Sequence, residues 1–173
     1  MASINKENEA KLTQEKLKQL LRYDEHTGLF TWLVRGKGSQ VGAVGNLNKS
    51  TGYCRVMVYG TSYLAHRLTF FYVTGKWPKH HVDHINGVRS DNSWSNLREA
   101  TSPENKKNTK LRYDNNSGHT GVWWDKSRGK WVAKIGVDGK QVHLGRFTNK
   151  TEAIAARQAA NLKYGYHPNH GRP

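Results

Sequence analysis

Residues 82–108 read VDHINGVRSDNSWSNLREATSPENKKN. An Asp-His pair, Asp83 and His84, is followed by Asn96 and then by Asn105, all within one polar stretch broken up by Gly, Asn and Ser. Such a stretch is either a solvated loop or a site for a metal ion and a general base. Cleavage of a phosphodiester with one metal needs a hard cation on the scissile phosphate and a base for the attacking water. Carboxylate and carboxamide oxygens suit Mg²⁺, which keeps several of its waters. Imidazole suits the base, because its ordinary pKa of about 6.5 leaves it largely neutral at pH 7. On a strand, Asp83 and His84 point to opposite faces, so one can hold a metal while the other faces a water. SPEN (102–105) reads as a helix start, with Ser102 as cap, Pro103 in the first turn and Glu104 complementing the dipole. That puts Asn105 in the first turn, where its carboxamide can meet Asp83. Asn96 can hold the backbone that carries His84. Arg98 is open between a phosphate contact and a salt bridge to Glu99 or Glu104. His66 is open between a structural role and a DNA-backbone contact.

The stretch resembles the HNH nuclease motif, in the form with Asn in the last position that phage and intron-encoded homing endonucleases use. The resemblance runs through VDHINGVRSDN, SNLR and the Ser-Pro-Glu-Asn helix start, with AHRL (65–68) and GKWP (75–78) as lead-in. It implies a ββα-metal fold around one divalent ion per chain. Asp83 and Asn105 are then the metal ligands, His84 the general base and Asn96 the residue that orients it. With Asn105 in place of the last His, the implied ion is Mg²⁺ or Mn²⁺ rather than zinc.

Working outward, the chain of 173 residues carries 28 Lys and Arg against 13 Asp and Glu, a formal charge of +15. That excess points to a polyanion, with nucleic acid ahead of mere charge-based solubility. Residues 101–173 hold 14 basic and 5 acidic side chains, so the second half alone is strongly basic. The hydrophobic fraction of 35% argues against one large core, and six Trp and eight Tyr must carry much of the packing. Cys54 is the only cysteine, which excludes an internal disulfide and a multi-Cys zinc site. A single thiol, a polar N-terminus and no run of ~20 apolar residues together suggest a cytoplasmic protein with no membrane partner.

Upstream of the motif, Leu12, Leu17, Leu20 and Leu21 predict an amphipathic helix capped by Thr13. A turn over 23–28, a strand over 28–34 and a Gly-, Ser- and Asn-rich stretch to Gly52 follow. Residues 53–60 alternate as a strand, GTS (60–62) marks a hairpin connection, and 63–75 passes from strand into helix. Residues 110–116 read as a basic linker without apolar period. After Gly121 the pattern becomes three short strands with turns at SRG and DG, then one helix opened by Asn149 and Glu152. Strand alternation puts Val122, Trp124, Trp131, Ala133, Ile135, Val142 and Leu144 toward the helix. It turns Trp123, Lys130, Val132, Lys134, Gln141 and His143 outward, with Lys126 and Arg128 in the first turn. A basic, amide-bearing and aromatic sheet can read the DNA major groove.

This segment, about 117–165, resembles the Apetala-two or ethylene-response-factor DNA-binding domain through SGHTGVWW, GKWVAKI, HLGRF and the Glu-Ala helix. The resemblance implies base-reading positions at Trp123, Arg128, Lys130, Lys134, Gln141 and His143. Trp123 and Gly136 stand where members often carry Arg, so base specificity does not transfer. Arg146, Lys126, Lys110, Arg112 and Arg67 complete the expected DNA contacts.

The expectation is an α+β protein, a ββα-metal nuclease module plus a three-stranded antiparallel sheet packed on one helix. Its parts are a supporting region at 1–77, the nuclease motif at 78–109, a linker at 110–116 and a DNA-binding domain at 117–173. The expected activity is a metal-dependent, homing-type DNA endonuclease on double-stranded DNA, as monomer or homodimer. A non-catalytic DNA-binding regulator on the same scaffold and an RNA nuclease are the alternatives.

Overall fold

The computed structural model describes residue 9 and residues 12–34 and 43–172. It is an α+β structure of two compact units, Met1–Ala100 and Thr101–Pro173. The Gly-rich stretch expected after Val34 lies outside the described residues over 35–42.

In the first unit, helix α1 (Gln14–Leu20) starts at Thr13, whose side chain accepts the Lys16 N–H. Leu12 before the cap and Leu17 in the first turns are both buried, as a hydrophobic staple requires. Strands β1 (Leu21–Tyr23), β2 (Phe30–Trp32) and β3 (Ala43–Val44) form one antiparallel sheet, and β4 (Asn46–Leu47), β5 (Cys54–Val58) and β6 (Thr61–Leu64) form another. In β5, Val56 and Val58 are buried and Met57 is exposed, the alternation of a half-covered sheet. The hairpin turns at Tyr59-Gly60, with φ of 48° and 74°, rather than at GTS. Two successive left-handed residues make the turn whose twist matches the strands, which leaves Thr61 and Ser62 to pair.

Helix α2 (Ala65–Thr74) begins where β6 ends, and it buries Ala65, Leu68 and Phe71 in the core with Leu17, Leu21, Phe30 and Tyr63. Gly75 closes it in the left-handed conformation. Trp77 then lies between Phe71 and Tyr63, stacked at 4.3 and 5.6 Å between ring centroids. Strands β7 (His81–His84) and β8 (Leu97–Ala100) pair antiparallel, joined by a loop that ends in a 3₁₀ turn at Trp94–Asn96.

In the second unit, helix α3 (Ser102–Lys106) is capped by Thr101, not Ser102. The Thr101 N–H and hydroxyl both donate to Glu104 Oε2 at 2.7 Å. Moving the cap back one residue is what lets Glu104 reach it in the three-residue spacing of a capping box. Strands β9 (Val122–Asp125), β10 (Lys130–Val137) and β11 (Lys140–Phe147) form an antiparallel sheet with β10 central. Helix α4 (Lys150–Lys163), capped at Asn149, lays Ala153 on Val122 and Ala133.

Two assignments change in this sheet. Val132, expected to face outward, is only 3% exposed, because the register puts Trp123 on one side of it and Arg146 on the other. Trp124, expected to face the helix, remains 44% exposed and meets Trp131 edge-on.

The expected linker is not a free tether. The Leu111 N–H donates to the Arg172 carbonyl, the Gly171 N–H to Thr109 and the His167 N–H to Lys107. Arg172 Nη1 donates back to the Asn108 carbonyl and side chain at 2.8 and 3.0 Å. Backbone pairing with the tail holds a segment that has few apolar side chains to anchor it.

Candidate active site and nucleic-acid face

The β7–β8 register places Asp83 opposite Arg98 and His84 opposite Leu97. Neighbouring strand residues point to opposite faces, so Asp83 and His84 are separated as expected. Arg98 forms its salt bridge with Asp83, where its Nη2 and Nε donate to Oδ2 at 3.0 and 3.3 Å. The Asp83 side chain is 11% exposed and that of Arg98 35%, so a mostly buried carboxylate meets a half-open guanidinium. Glu99 instead accepts the His80 N–H at 2.7 Å.

His84 is 3% exposed. Its Nε2 lies 3.4 Å from Asn92 Oδ1. Its ring meets His66 edge-on at 5.1 Å and Tyr53 at 6.0 Å. Burial pushes its imidazole below the ordinary histidine range, against the opposing pull of Asn92 and of the charges on Asp83 and Asp91. Asn96 works on backbone. Its Oδ1 accepts the Asn86 N–H at 2.9 Å, its Nδ2 donates to the Asp91 carbonyl at 2.8 Å, and its own carbonyl accepts the Ile85 N–H. Asn96 therefore ties down the chain that leaves His84, while Asn92 faces the ring directly.

Asp91 fixes the same loop. Its carboxylate accepts from the Ser93 N–H and hydroxyl and from Asn86 Nδ2. Burial opposes its ionised form, but these hydrogen bonds hold its carboxyl below the usual range. The loop is also gripped from the N-terminal hairpin. The Tyr23 hydroxyl donates to the Asn92 carbonyl at 2.7 Å, and the Trp94 N–H donates to the Glu25 carbonyl. Burial pushes the Tyr23 hydroxyl up to about 12, so it stays a donor. Sequence alone singles out neither Asn92 nor Tyr23. The signal for Asn92 is its place in the SDN triplet, but an Asn in a loop reads first as a turn residue.

Arg67 is 6% exposed, and its position argues against the expected DNA contact. Its guanidinium binds both Glu9 carboxylate oxygens at 2.9 and 3.1 Å and the Pro78 and His80 carbonyls. The first turn of α2 faces the core, and a buried charge requires such partners. His66, one residue earlier, is 5% exposed, and its Nδ1 has no hydrogen-bond partner among the described residues. Burial, with the neighbouring His84, Arg67 and Arg55, pushes its pKa down to about 3.

This predicts acid lability. Unfolded, His66 protonates near 6.5; folded, near 3. Between those values the unfolded chain binds more protons, so stability is full above about pH 6.5 and falls as pH falls toward 3. At pH 5 the loss is roughly 2 kcal/mol from this one group. Urea unfolding at pH 7.5 and pH 5 measures it, and His66→Phe should flatten the difference. His170 in the second unit, pushed down to about 4 by burial and then by Arg157 and Arg172, acts in the same direction.

In the second unit Trp123, Lys134, Gln141, His143 and Arg146 share one sheet face by register, Lys126 and Arg128 lie in the turn between β9 and β10, and Lys110 and Arg112 precede the sheet. Trp123 is 39% exposed, with Lys134 Nζ 5.3 Å from its ring centroid. Gln141, His143, Arg146 and Lys126 are exposed. Lys130 Nζ donates to Thr148 Oγ1 at 2.8 Å, and exposed Arg128 pairs with Asp125 at 3.2 Å. Lys110 is exposed, and Arg112 pairs with Asp114 at 2.7 Å. Asn105 belongs to this unit, on α3, and is half-buried.

No described helix is long and apolar enough to cross a membrane. The HNH endonuclease family matches residues 63–107. Protein 3.8 of Escherichia phage T7 is 37% identical over 82 residues, which are 47% of this chain and 67% of that protein. No solved structure matches. The family match spans β6, α2, the β7–β8 hairpin and α3, and it stops short of the sheet after Gly121. With its Asp-His strand and the asparagine-braced loop behind it, the segment of residues 63–107 is an HNH endonuclease domain.

Proposed function

We propose that the chain is a metal-dependent DNA endonuclease of the homing type, cutting at a site read by its second unit. One observation carries the reading: a strand that sets a buried imidazole and a carboxylate on opposite faces, with both braced by neighbouring side chains. In this reading His84 accepts the proton of the attacking water. Asn92 and Tyr53 hold its ring, and Asn96 holds the backbone beneath it. A ring held in one orientation is what positional catalysis requires.

Asp83 and Asn105 are the proposed metal ligands. Among the described residues no three His, Cys, Asp or Glu gather into a metal site. A carboxylate and a carboxamide fit a hard cation that takes its remaining ligands from water and phosphate, hence Mg²⁺ or Mn²⁺. When bound, the cation supplies Lewis-acid stabilisation of the leaving oxygen.

The second unit is proposed as the DNA reader, in the manner of an Apetala-two domain, with Trp123, Arg128, Lys130, Lys134, Gln141 and His143 toward bases. Arg146, Lys126, Lys110 and Arg112 stand toward phosphates. Phosphates are alike everywhere, so sequence choice must come from a second surface. Lys134→Ala and Gln141→Ala should each alter which duplex is bound, by about 1–3 kcal/mol where the contact is to a base edge. Replacing Lys110 and Arg112 should weaken all sequences alike, lowering the log–log salt slope by roughly 0.9 for each phosphate left without its cation. Affinities on matched and scrambled duplexes at several salt concentrations measure both.

A second reading, a DNA-binding regulator without cleavage, is favoured by the 3% exposure of His84. Incubating supercoiled DNA with the protein and Mg²⁺ or Mn²⁺, with and without chelator, separates the two. Nicked or linear product that requires the metal supports the endonuclease. Binding without product supports the regulator.

A further inference from the structure

Arg98 reaches Asp83 in a way that neither a phosphate clamp nor a surface ion pair accounts for. Both of its donors converge on one oxygen, Oδ2, of a carboxylate whose side chain is 11% exposed. The pairing is built in by register, since the two residues face each other across β7 and β8. A buried carboxylate needs a countercharge, and here the guanidinium supplies it. Any cation coordinated by Asp83 must share that carboxylate with Arg98 and sit close to a second positive charge.

We propose that Arg98 sets the cation affinity of Asp83: the guanidinium and the divalent ion compete for the same carboxylate. This rests on the reading of Asp83 as a metal ligand. Two effects act in the same direction. Hydrogen bonds to Oδ2 withdraw its lone pairs from the ion, and like charges at close range repel through a partly buried medium that screens them poorly. The arrangement holds the Asp83 carboxylate in one orientation. It also keeps the bare protein a weak metal binder, so that firm occupancy depends on further oxygen ligands such as a substrate phosphate.

The test is direct binding of Mn²⁺ to the full chain without DNA, by electron paramagnetic resonance titration, for the wild type, Asp83→Asn, Arg98→Met and Arg98→Gln. Arg98→Met removes the charge and keeps the aliphatic stem. Arg98→Gln retains one hydrogen-bond donor to support the strand pair. The expected result is Mn²⁺ binding at least about tenfold tighter in both Arg98 variants, and loss of binding in Asp83→Asn. Thermal unfolding gives a second readout: Mn²⁺ should raise the midpoint of the Arg98 variants more than that of the wild type, because ligand binding to the folded state stabilises it more as affinity rises. An Arg98→Met chain that folds only with Mn²⁺ also supports competition. If the wild type binds Mn²⁺ through Asp83 and the Arg98 variants bind equally or more weakly, the competition is overturned while the metal site stands. If neither the wild type nor any variant binds Mn²⁺, the metal reading of Asp83 falls, and this inference with it.

Discussion

Replacing His84 by Ala is expected to lower metal-dependent cleavage of supercoiled DNA by roughly 10²–10⁴-fold, the contribution of a positioned general base. Metal binding through Asp83 should survive, because the two side chains leave β7 on opposite faces. DNA affinity should survive as well, because the proposed reading surface lies in the other unit. The truncation also removes packing against His66 and Tyr53, so the variant's unfolding midpoint must be measured beside its activity. The complementary change, Asp83→Ala, should abolish both metal binding and cleavage. Full activity of His84→Ala at neutral pH, with the fold intact, would rule out the imidazole as base.

The second large effect is expected far from the Asp-His pair in sequence. Gly28 closes the 23–28 turn with φ of 72°, and a Cβ there would overlap the Asn92 carbonyl carbon and the Ser93 nitrogen. Both obstacles are backbone, so neither can rotate away. Gly28→Ala combines a left-handed alanine, about 1 kcal/mol or more, with overpacking of about 1–3 kcal/mol. A total destabilisation of about 2–4 kcal/mol is expected by urea unfolding. The displacement falls on Asn92, whose side chain faces His84 and whose carbonyl takes the Tyr23 hydroxyl. Any Gly28→Ala protein that does fold should therefore cleave more slowly than its folded fraction explains. A destabilisation of less than about 1 kcal/mol would show that the loop yields and that the hairpin does not buttress the site.

Much of the architecture is legible in the sequence because it depends on local chemistry. Thr13 starts a helix by capping, Asp138-Gly139 turns a hairpin through left-handed backbone, and alternation in β5 and β11 marks the covered face. The Asp83–His84 separation follows from the two-residue period of a strand alone. The departures from expectation are also local. The cap lies at Thr101 rather than Ser102, and the turn at Tyr59-Gly60 rather than GTS. At the cap, Thr and Ser have similar propensities and Glu104 chooses between them, while at the hairpin the pairing of Val58 with Thr61 leaves Tyr59 and Gly60 to make the turn.

Long-range partners are not legible, and they decide how the site is held. Sequence by itself determined a basic α+β chain with an Asp-His strand, two asparagines behind it, and a three-stranded sheet on a small-residue helix face. Only the tertiary structure decided that Arg98 closes on Asp83, that Arg67 is consumed by Glu9 instead of facing DNA, and that His66 packs on His84. It alone also set Asn92 before the imidazole and paired residues 107–111 with the tail at 167–172. The reason is physical. Caps, turns and alternation are settled by a few consecutive residues. The partner of a buried charge or ring is settled by which surfaces meet once the whole chain has folded, and a guanidinium or imidazole serves equally well for a phosphate, a carboxylate or a neighbouring ring.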